Sequence, residues 1–232
     1  MKNPNELFNQ RDTSAGKITH RLSLFIELYK KFRKNNSRIL DIGCGQNAVL
    51  SKYIEKEDEY YACDYYKKIK NQKVKKYFQI DLNNQELNKI VPHKFDVVFC
   101  GEVIEHLFSP DHLMNEVKKI LNKDGILILS TPNLAYLPNR IMLLVGMHPF
   151  FLENSSDYKL GRVFKNLGQM NTTEGHIKVF TYGALKELFE LTGYKIFDER
   201  ATVVFNEKFD LLVGNIHHSF GPDTVFALRP KV

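Results

Sequence analysis

Cysteine is scarce in this chain. Three residues among 232 cannot build a paired disulfide framework, and none stands at the Cys-x-x-Cys spacing of a metal site. Long apolar runs are lacking too. The longest, residues 141–147, includes a glycine and falls far short of the ~20 residues that span a bilayer. The first thirty residues contain no apolar segment of the signal-peptide kind, so no secretory leader is expected. No internal repeat or low-complexity tract is visible. A hydrophobic share of 43% with 12% aromatics suffices for a substantial core and excludes a mostly disordered chain. The expectation is a soluble, cytoplasmic protein with one generous domain over residues 1–232, since a domain takes roughly 100–200 residues.

Basic residues outnumber acidic ones by 33 to 27, a net charge of +6 that favours anionic partners without naming one. Lys67, Lys68, Lys70, Lys73, Lys75 and Lys76 cluster without an arginine or a regular aromatic interleave. That pattern reads as a solvated face more than as a nucleic-acid patch.

Strands alternate with helices along most of the chain. Arg38 to Ile42 is a short apolar run ending in a glycine turn, the mark of a buried parallel strand. Residues 60–63 end at Asp64, residues 77–80 end at Asp81, and 95–100 and 126–130 complete the set. An amphipathic helix is expected over 21–33 within an N-terminal helical segment, 1–37. Helical spacing over 112–122 puts Leu113, Val117, Ile120 and Leu121 on one face, with Gly125 as its stop. This order implies an α/β domain whose largely parallel sheet is covered on both faces. Past Pro132 the rhythm breaks, and 133–180 reads as a cap insertion over the site. A helix capped by Thr181 follows over 181–192, then two strands near 195–205 and 224–228.

Asp41-Ile42-Gly43-Cys44-Gly45-Gln46-Asn47 stands where the first strand is expected to run into a helix. Glycines there let a ligand approach the backbone, and a helix N-terminus offers free N–H donors. Gly43-x-Gly45-x-x-Ala48 also satisfies the dinucleotide fingerprint. Acids at successive strand ends sharpen the reading. Asp64, about twenty residues on, is placed to accept from ribose hydroxyls. Asp81, after the third strand, can accept from an adenine amino group. Asp41, two residues before the first glycine, is not required by a dinucleotide fold, and with Asp81 it disfavours a nicotinamide dehydrogenase.

With these residues the sequence resembles the class I S-adenosylmethionine-dependent methyltransferases, through residues 39–45, 61–64, 79–82, 95–107 and 121–133. It is most similar to the branch of ubiquinone-biosynthesis O-methyltransferases, which has the Glu-Val-Ile-Glu-His-Leu and Ser-Thr-Pro-Asn segments. The resemblance implies a Rossmann-like three-layer sandwich: a seven-stranded, mostly parallel sheet, an antiparallel last strand and a helical cap. It implies S-adenosyl-L-methionine as cofactor, with its methionine moiety on Asp41, Gly43, Cys44 and Gly45. Asp64 then takes the ribose, Asp81 and Leu82 flank the adenine, and Cys100, Gly101 and Glu102 stand beside the sulfonium. Cys44, Cys63 and Cys100 read best as small apolar residues at the cofactor's edge, not as metal or redox ligands.

On the acceptor side, Glu102, Glu105 and His106 are expected to begin a helix and to share one face at spacings of three and four. His106 is the first candidate for a general base, Glu102 orients the cofactor, and His176 in Gly175-His176-Ile177 joins them. Glu105 reads as a residue that complements the helix dipole. The set Glu102, Glu105, His106 and His176 also resembles the cation site of small-RNA 2′-O-methyltransferases, whose later motifs are not reproduced. No metal is therefore assigned, and cation binding stays open. The apolar cap, with Met142, Leu143, Leu144, Phe150 and Phe151, suits a hydrophobic acceptor, a second subunit or a membrane surface equally. The reading is methyl transfer to a small molecule, by O- or N-methylation. The alternatives are an RNA methyltransferase and a non-catalytic regulatory protein that binds S-adenosylmethionine.

Overall fold

A computed structural model describes residues 19–71, 73–161 and 173–231. Seven strands, β1 (Arg38–Ile42), β2 (Glu59–Asp64), β3 (Lys76–Gln79), β4 (Phe95–Gly101), β5 (Leu121–Pro132), β6 (Tyr194–Ala201) and β7 (Asp223–Pro230), make one sheet. Their order is β3-β2-β1-β4-β5-β7-β6. Strands β1 to β5 pair in parallel, and β7 runs antiparallel to both β5 and β6. This is the sheet that the family resemblance implies, and the largely parallel sheet that the strand–helix alternation implies.

Alternation along each strand divides the core in two. Leu40, Ile42, Val98 and Cys100 face one layer, with Leu113 and Val117 of α3 (Pro110–Ile120) and Leu185 and Phe189 of α5 (Tyr182–Leu191). Ile39, Val97 and Phe99 face the other, against Leu24, Phe25, Leu28 and Tyr29 of α1 (His20–Phe32). Each fully buried side chain of this size stabilises the fold by about 1.5–3 kcal/mol. Burial on both faces is why the central strands read as unbroken apolar runs. Short α2 (Leu87–Ile90), α4 (Leu137–Leu144) and α6 (Glu207–Ile216) complete the α-helices among the described residues. Among the described residues, no helix is long and apolar enough to cross a membrane.

Helix α1 begins at Thr19, whose side chain accepts the Leu22 N–H, and carries Lys30 and Lys31 in its last turn, where cations complement the dipole. It is tied to the β1–β2 region by Asp58, whose carboxylate accepts from Tyr29 Oη (2.6 Å), Arg33 Nε (2.6 Å) and Ser37 N (2.8 Å). Burial pushes the Asp58 carboxyl upward, but these donors outweigh it and hold it below its ordinary value. The lysines at 67, 68, 70, 73, 75 and 76 are all exposed, and Lys75 pairs with Glu59.

Three expectations are corrected. Helix α3 covers Pro110–Ile120, capped by Ser109 with proline in its first turn, and Gly125 does not end it. The Leu121 N–H still bonds back to Val117 O, but Leu121 already opens β5. Gly125 lies where the β4–β5 register shifts, and a Cβ there would meet Phe95 O at 2.9 Å. The penultimate strand stops at Ala201, because the backbone N–H groups of Val204, Phe205 and Asn206 turn onto the Asp210 carboxylate. Asn206 then caps α6, a helix the alternating pattern did not announce. Thr181 does cap α5, accepting from Ala184 N at 3.2 Å.

Asp198 on β6 joins the sheet edge to α1. Its carboxylate takes Arg200 Nε at 2.7 Å and Lys31 Nζ at 2.6 Å, and the two hydrogen bonds, Arg200's the larger, lower it from 3.8 to about 2. A carboxyl depressed in the folded state adds stability above its unfolded value and loses it as pH falls through the folded one. Asp198→Asn should therefore destabilise the protein by about 1 kcal/mol at neutral pH, discounted because both cations are half exposed. The penalty should shrink between pH 4 and pH 2, as thermal melts across that range would register.

Candidate active site

The strand order reverses beside β1, which lies between β2 and β4, and open parallel sheets bind ligands outside the carboxyl ends at such a point. The strand ends are level there: Ile42 stands opposite Cys63 on β2 and Cys100 on β4. Gly43 and Gly45 have φ of 70° and 63°, the left-handed region that glycine enters without strain. A Cβ on Gly43 would lie 2.3 Å from Val103 Cγ2. Gly43 N and Cys44 N donate to Cys63 O at 2.9 and 3.3 Å. Gly45 N donates to Asp64 Oδ2 at 2.8 Å.

The helix expected after this loop does not form. Ala48 is left-handed (φ 42°), and only a five-residue 3₁₀ turn, Val49–Tyr53, follows. The Asn71 amide ties this loop by donating to Asn47 O (2.9 Å), Ala48 O (3.3 Å) and Ser51 Oγ (2.7 Å), and Ala48 O also accepts from Ser51 N at 3.1 Å to begin the 3₁₀ turn. The loop's own N–H groups, not a helix dipole, are what it can offer a ligand.

Asp41 is buried and accepts from the Tyr60 hydroxyl. Asp64 also accepts from Tyr65 N at 2.7 Å, and burial raises its carboxyl above the ordinary value. Asp81 accepts from Asn83 N (3.0 Å) and Asn84 Nδ2 (2.7 Å), while Leu82 packs on the core. The thiols of Cys44, Cys63 and Cys100 are all pushed up by burial first, so they stay protonated and behave as small apolar groups.

A cavity of about 60 Å³ opens between α1 and the glycine loop, touching Asp41, Gly43, Cys44, Gly101, Phe25 and Arg21. Arg21 is the residue that motif reading misses. Its Nη1 lies 3.7 Å from Glu102 Oε1 and 3.5 Å from Ser130 Oγ. It approaches closely because Gly101 has no side chain; a Cβ there would meet Arg21 Nη1 at 3.0 Å. The available signal was a cation one turn before Phe25, on the buried face of an amphipathic helix.

Glu102, Glu105 and His106 do not begin a helix. Glu102 is left-handed (φ 57°), a conformation that costs a non-glycine residue about 1–3 kcal/mol, and Ile104–His106 is a single 3₁₀ turn. The two carboxyls therefore part. Glu102 Oε1 accepts from Ser130 Oγ at 2.8 Å, and Glu105 Oε2 accepts from Thr131 Oγ1 at 2.9 Å. Glu105 is fully buried, so it does not serve a helix dipole at the surface; burial first, and the Glu102 carboxylate second, push it well above the carboxylate range. Its Oε1 has no hydrogen-bond partner.

His106 and His176 do meet, with ring centroids 5.0 Å apart. His106 Nδ1 lies 3.0 Å from Gly175 O, and His176 Nδ1 lies 2.7 Å from Phe151 O. A carbonyl oxygen only accepts, so each Nδ1 carries a proton, and the neutral form of His106 presents an unprotonated Nε2. His106 Nε2 is 3.8 Å from Glu105 Oε1, and burial depresses the His106 imidazole below its ordinary value. One ligand atom from each of Glu105, His106 and His176 falls within a 4.8 Å group.

A family model described as "Methyltransferase domain" matches residues 8–199. The ubiquinone biosynthesis O-methyltransferase of Haemophilus ducreyi is 31% identical over 107 residues, 41% of this chain and 45% of that protein. The enzyme of that name from Neisseria meningitidis is 29% identical over 114 residues, 46% of this chain and 48% of that one. The chain thus spans less than half the length of the curated relatives it matches. Among solved structures, an S-adenosylmethionine-dependent methyltransferase from Clostridium acetobutylicum superposes with a TM-score of 0.64. It is 13% identical and covers 98% of this chain and 99% of its own. The glycine loop at the strand-order reversal and the sheet order agree with these matches: the chain belongs to the methyltransferase-domain family and has the fold of S-adenosylmethionine-dependent methyltransferases.

Proposed function

We propose that the protein transfers the methyl group of S-adenosylmethionine to a hydroxyl oxygen of a small molecule in the cytoplasm. The name of its curated relatives, ubiquinone biosynthesis O-methyltransferase, supports a ubiquinone-precursor type of acceptor. The observation that supports a proton-bearing acceptor is the His106 ring, with Nδ1 held by Gly175 O, and the choice of oxygen over nitrogen rests on the relatives' name. Such a base helps only where the acceptor must lose a proton.

The residues fit the cofactor. Arg21 faces a cavity whose floor is Gly43 and Gly101, suited to a carboxylate close to the backbone. Asp64 and Asp81 stand at consecutive strand ends beyond it, suited to ribose hydroxyls and an adenine amino group. When bound, S-adenosylmethionine supplies an electrophilic methyl group on a sulfonium. Arg21 and Ser130 hold Glu102, which orients the cofactor's amino group, and His106 Nε2 takes the proton leaving the acceptor hydroxyl. The contacts of Gly175 and His176 with His106 support reading 133–180 as a cap on a single domain. Within that cap, residues 162–172 lie outside the described residues.

A second reading rests on Glu105 Oε1, a buried carboxyl oxygen without a hydrogen-bond partner. A hard cation on Glu105, His106 and His176 would compensate it and lower the pKa of a bound hydroxyl.

Asp64→Ala should weaken S-adenosylhomocysteine binding by about 1.5–3 kcal/mol, the range for a charged hydrogen-bond partner. Calorimetry checks this, and neither NAD nor NADP should compete; an unchanged affinity would remove Asp64 from the site. With labelled S-adenosylmethionine and a panel of phenols, catechols and amines, His106→Ala should lower turnover by roughly 10²–10⁴-fold. Because burial lowers His106 from 6.5, the acid limb of the turnover profile should have its midpoint below that pH. Loss of turnover on adding chelator, reproduced by His176→Ala, would decide for the cation. Full turnover in a folded His106→Ala protein would refute both roles.

A further inference from the structure

The segment that delivers His176 is held by an unusual concentration of backbone hydrogen bonds. Five consecutive N–H groups, from Glu174 to Lys178, go to only two residues. Ile177 N and Lys178 N both donate to Glu105 O, at 2.8 and 2.9 Å. Glu174 N, Gly175 N (2.8 Å) and His176 N (3.1 Å) all converge on the carboxylate of Glu153. Gly175 makes the convergence possible, because its φ of 82° turns successive N–H groups to one side in an anion-binding concavity.

The same few residues fix both imidazoles. Gly175, whose N–H is on Glu153, presents its carbonyl to His106 Nδ1. Phe151, two residues before Glu153, presents its carbonyl to His176 Nδ1. Glu174 adds a largely buried ion pair, 2.6 Å from Lys159 Nζ, and its other oxygen is 3.5 Å from His176 Nε2. Glu153 holds the backbone that sets which nitrogen of each ring is protonated and where the other points, and its charge adds a minor direct pull that raises the His106 imidazole.

We propose that Glu153 is a positioning residue of the acceptor site: its carboxylate, by binding three successive N–H groups, holds both Nδ1–H groups against their carbonyls, so that His106 presents Nε2 to the acceptor while His176 Nε2 stays beside Glu174. The proposal rests on the reading of His106 as an acceptor-side group. Without the carboxylate, Gly175 and His176 are no longer held against 151–153, the two carbonyls drift from the rings, and each imidazole interconverts between tautomers. An amide at 153 keeps one oxygen to accept two of the three N–H groups, so Glu153→Gln should lie between the native protein and Glu153→Ala.

The test uses full-length protein labelled with ¹⁵N-histidine and saturated with S-adenosylhomocysteine. Ring signals are assigned from His106→Gln and His176→Gln, and each variant is compared by imidazole ¹⁵N shifts, ligand affinity and melting. The native protein should show both rings as the Nδ1–H tautomer. Glu153→Gln should move both toward the averaged position and Glu153→Ala further. Affinity for S-adenosylhomocysteine should stay within about twofold, while turnover on a methylated member of the acceptor panel falls roughly 10–100-fold through kcat, the scale of an ångström's misplacement. An unchanged tautomer pattern in folded Glu153→Gln overturns the proposal, whatever happens to melting. Loss of folding in both variants also overturns it, by reducing Glu153 to a structural role. Failure of the underlying reading looks different: full turnover in His106→Ala, with the tautomer shift in the Glu153 variants intact.

Discussion

Two hydroxyls at the end of β5 grip two carboxyls that follow β4, and the acceptor side depends on that grip. Ser130 binds Glu102 and Thr131 binds Glu105, while Glu102 N donates to Ser130 O at 3.0 Å. Because β4 and β5 are paired with Gly101 opposite Ser130, neighbouring side chains in space come from segments about thirty residues apart. The two motif segments are thus halves of one structure. Once Glu102 is turned left-handed, Glu105 goes into the core, its carbonyl receives the returning cap segment, and His106 faces His176. A helix beginning at Glu102 would have put both carboxyls on one surface and allowed none of this.

The arrangement has a cost that the fold does not hide. A buried carboxyl without a full set of partners is unfavourable by about 1–3 kcal/mol; burial pushes Glu105 well above the carboxylate range, and its Oε1 goes without a hydrogen bond. Thr131 relieves only one oxygen. The unsatisfied oxygen, on a carboxyl that falls in one group with the ligand atoms of His106 and His176, is an unpaired buried polar atom of the kind that packing alone does not account for.

The two ends of the site are organised by different means. At the cofactor end the backbone does most of the holding: left-handed glycines, N–H groups on Cys63 O and Asp64, and close approaches that a Cβ would block. At the acceptor end side chains hold backbone, through Glu153 and Asn133. Asn133 Nδ2 donates to Ser219 O and Gly221 O, and its Oδ1 accepts from Ala135 N and Tyr182 N. A rigid end suits an invariable cofactor, and an end tied by replaceable side chains suits acceptors that differ among proteins of one fold.

This division also explains what could be read before the structure. Core faces, the Thr181 cap and the glycine loop follow from local periodicity and backbone sterics, which a sequence displays directly, whereas the seven-stranded arrangement came from the family resemblance. Asn71 and Glu153 act on backbone about twenty positions away with no local pattern to mark them, and Arg21 reaches Ser130 across the chain with only its place on the buried helix face as a signal. The misreadings have the same origin. Glu102, Glu105 and His106 have helical spacing, but Ser130 and Thr131 outbid the helix for their side chains. Gly125 stands where a helix stop belongs, yet the pairing of β5 with β4 starts before it. Asn71 ties the carbonyls after the glycine loop, where a helix is expected. At Glu102 and beside the glycine loop the contacts that shape the backbone come from distant polar side chains at strand ends of the site, whereas at Gly125 strand pairing at the opposite end of the sheet overrode the local preference.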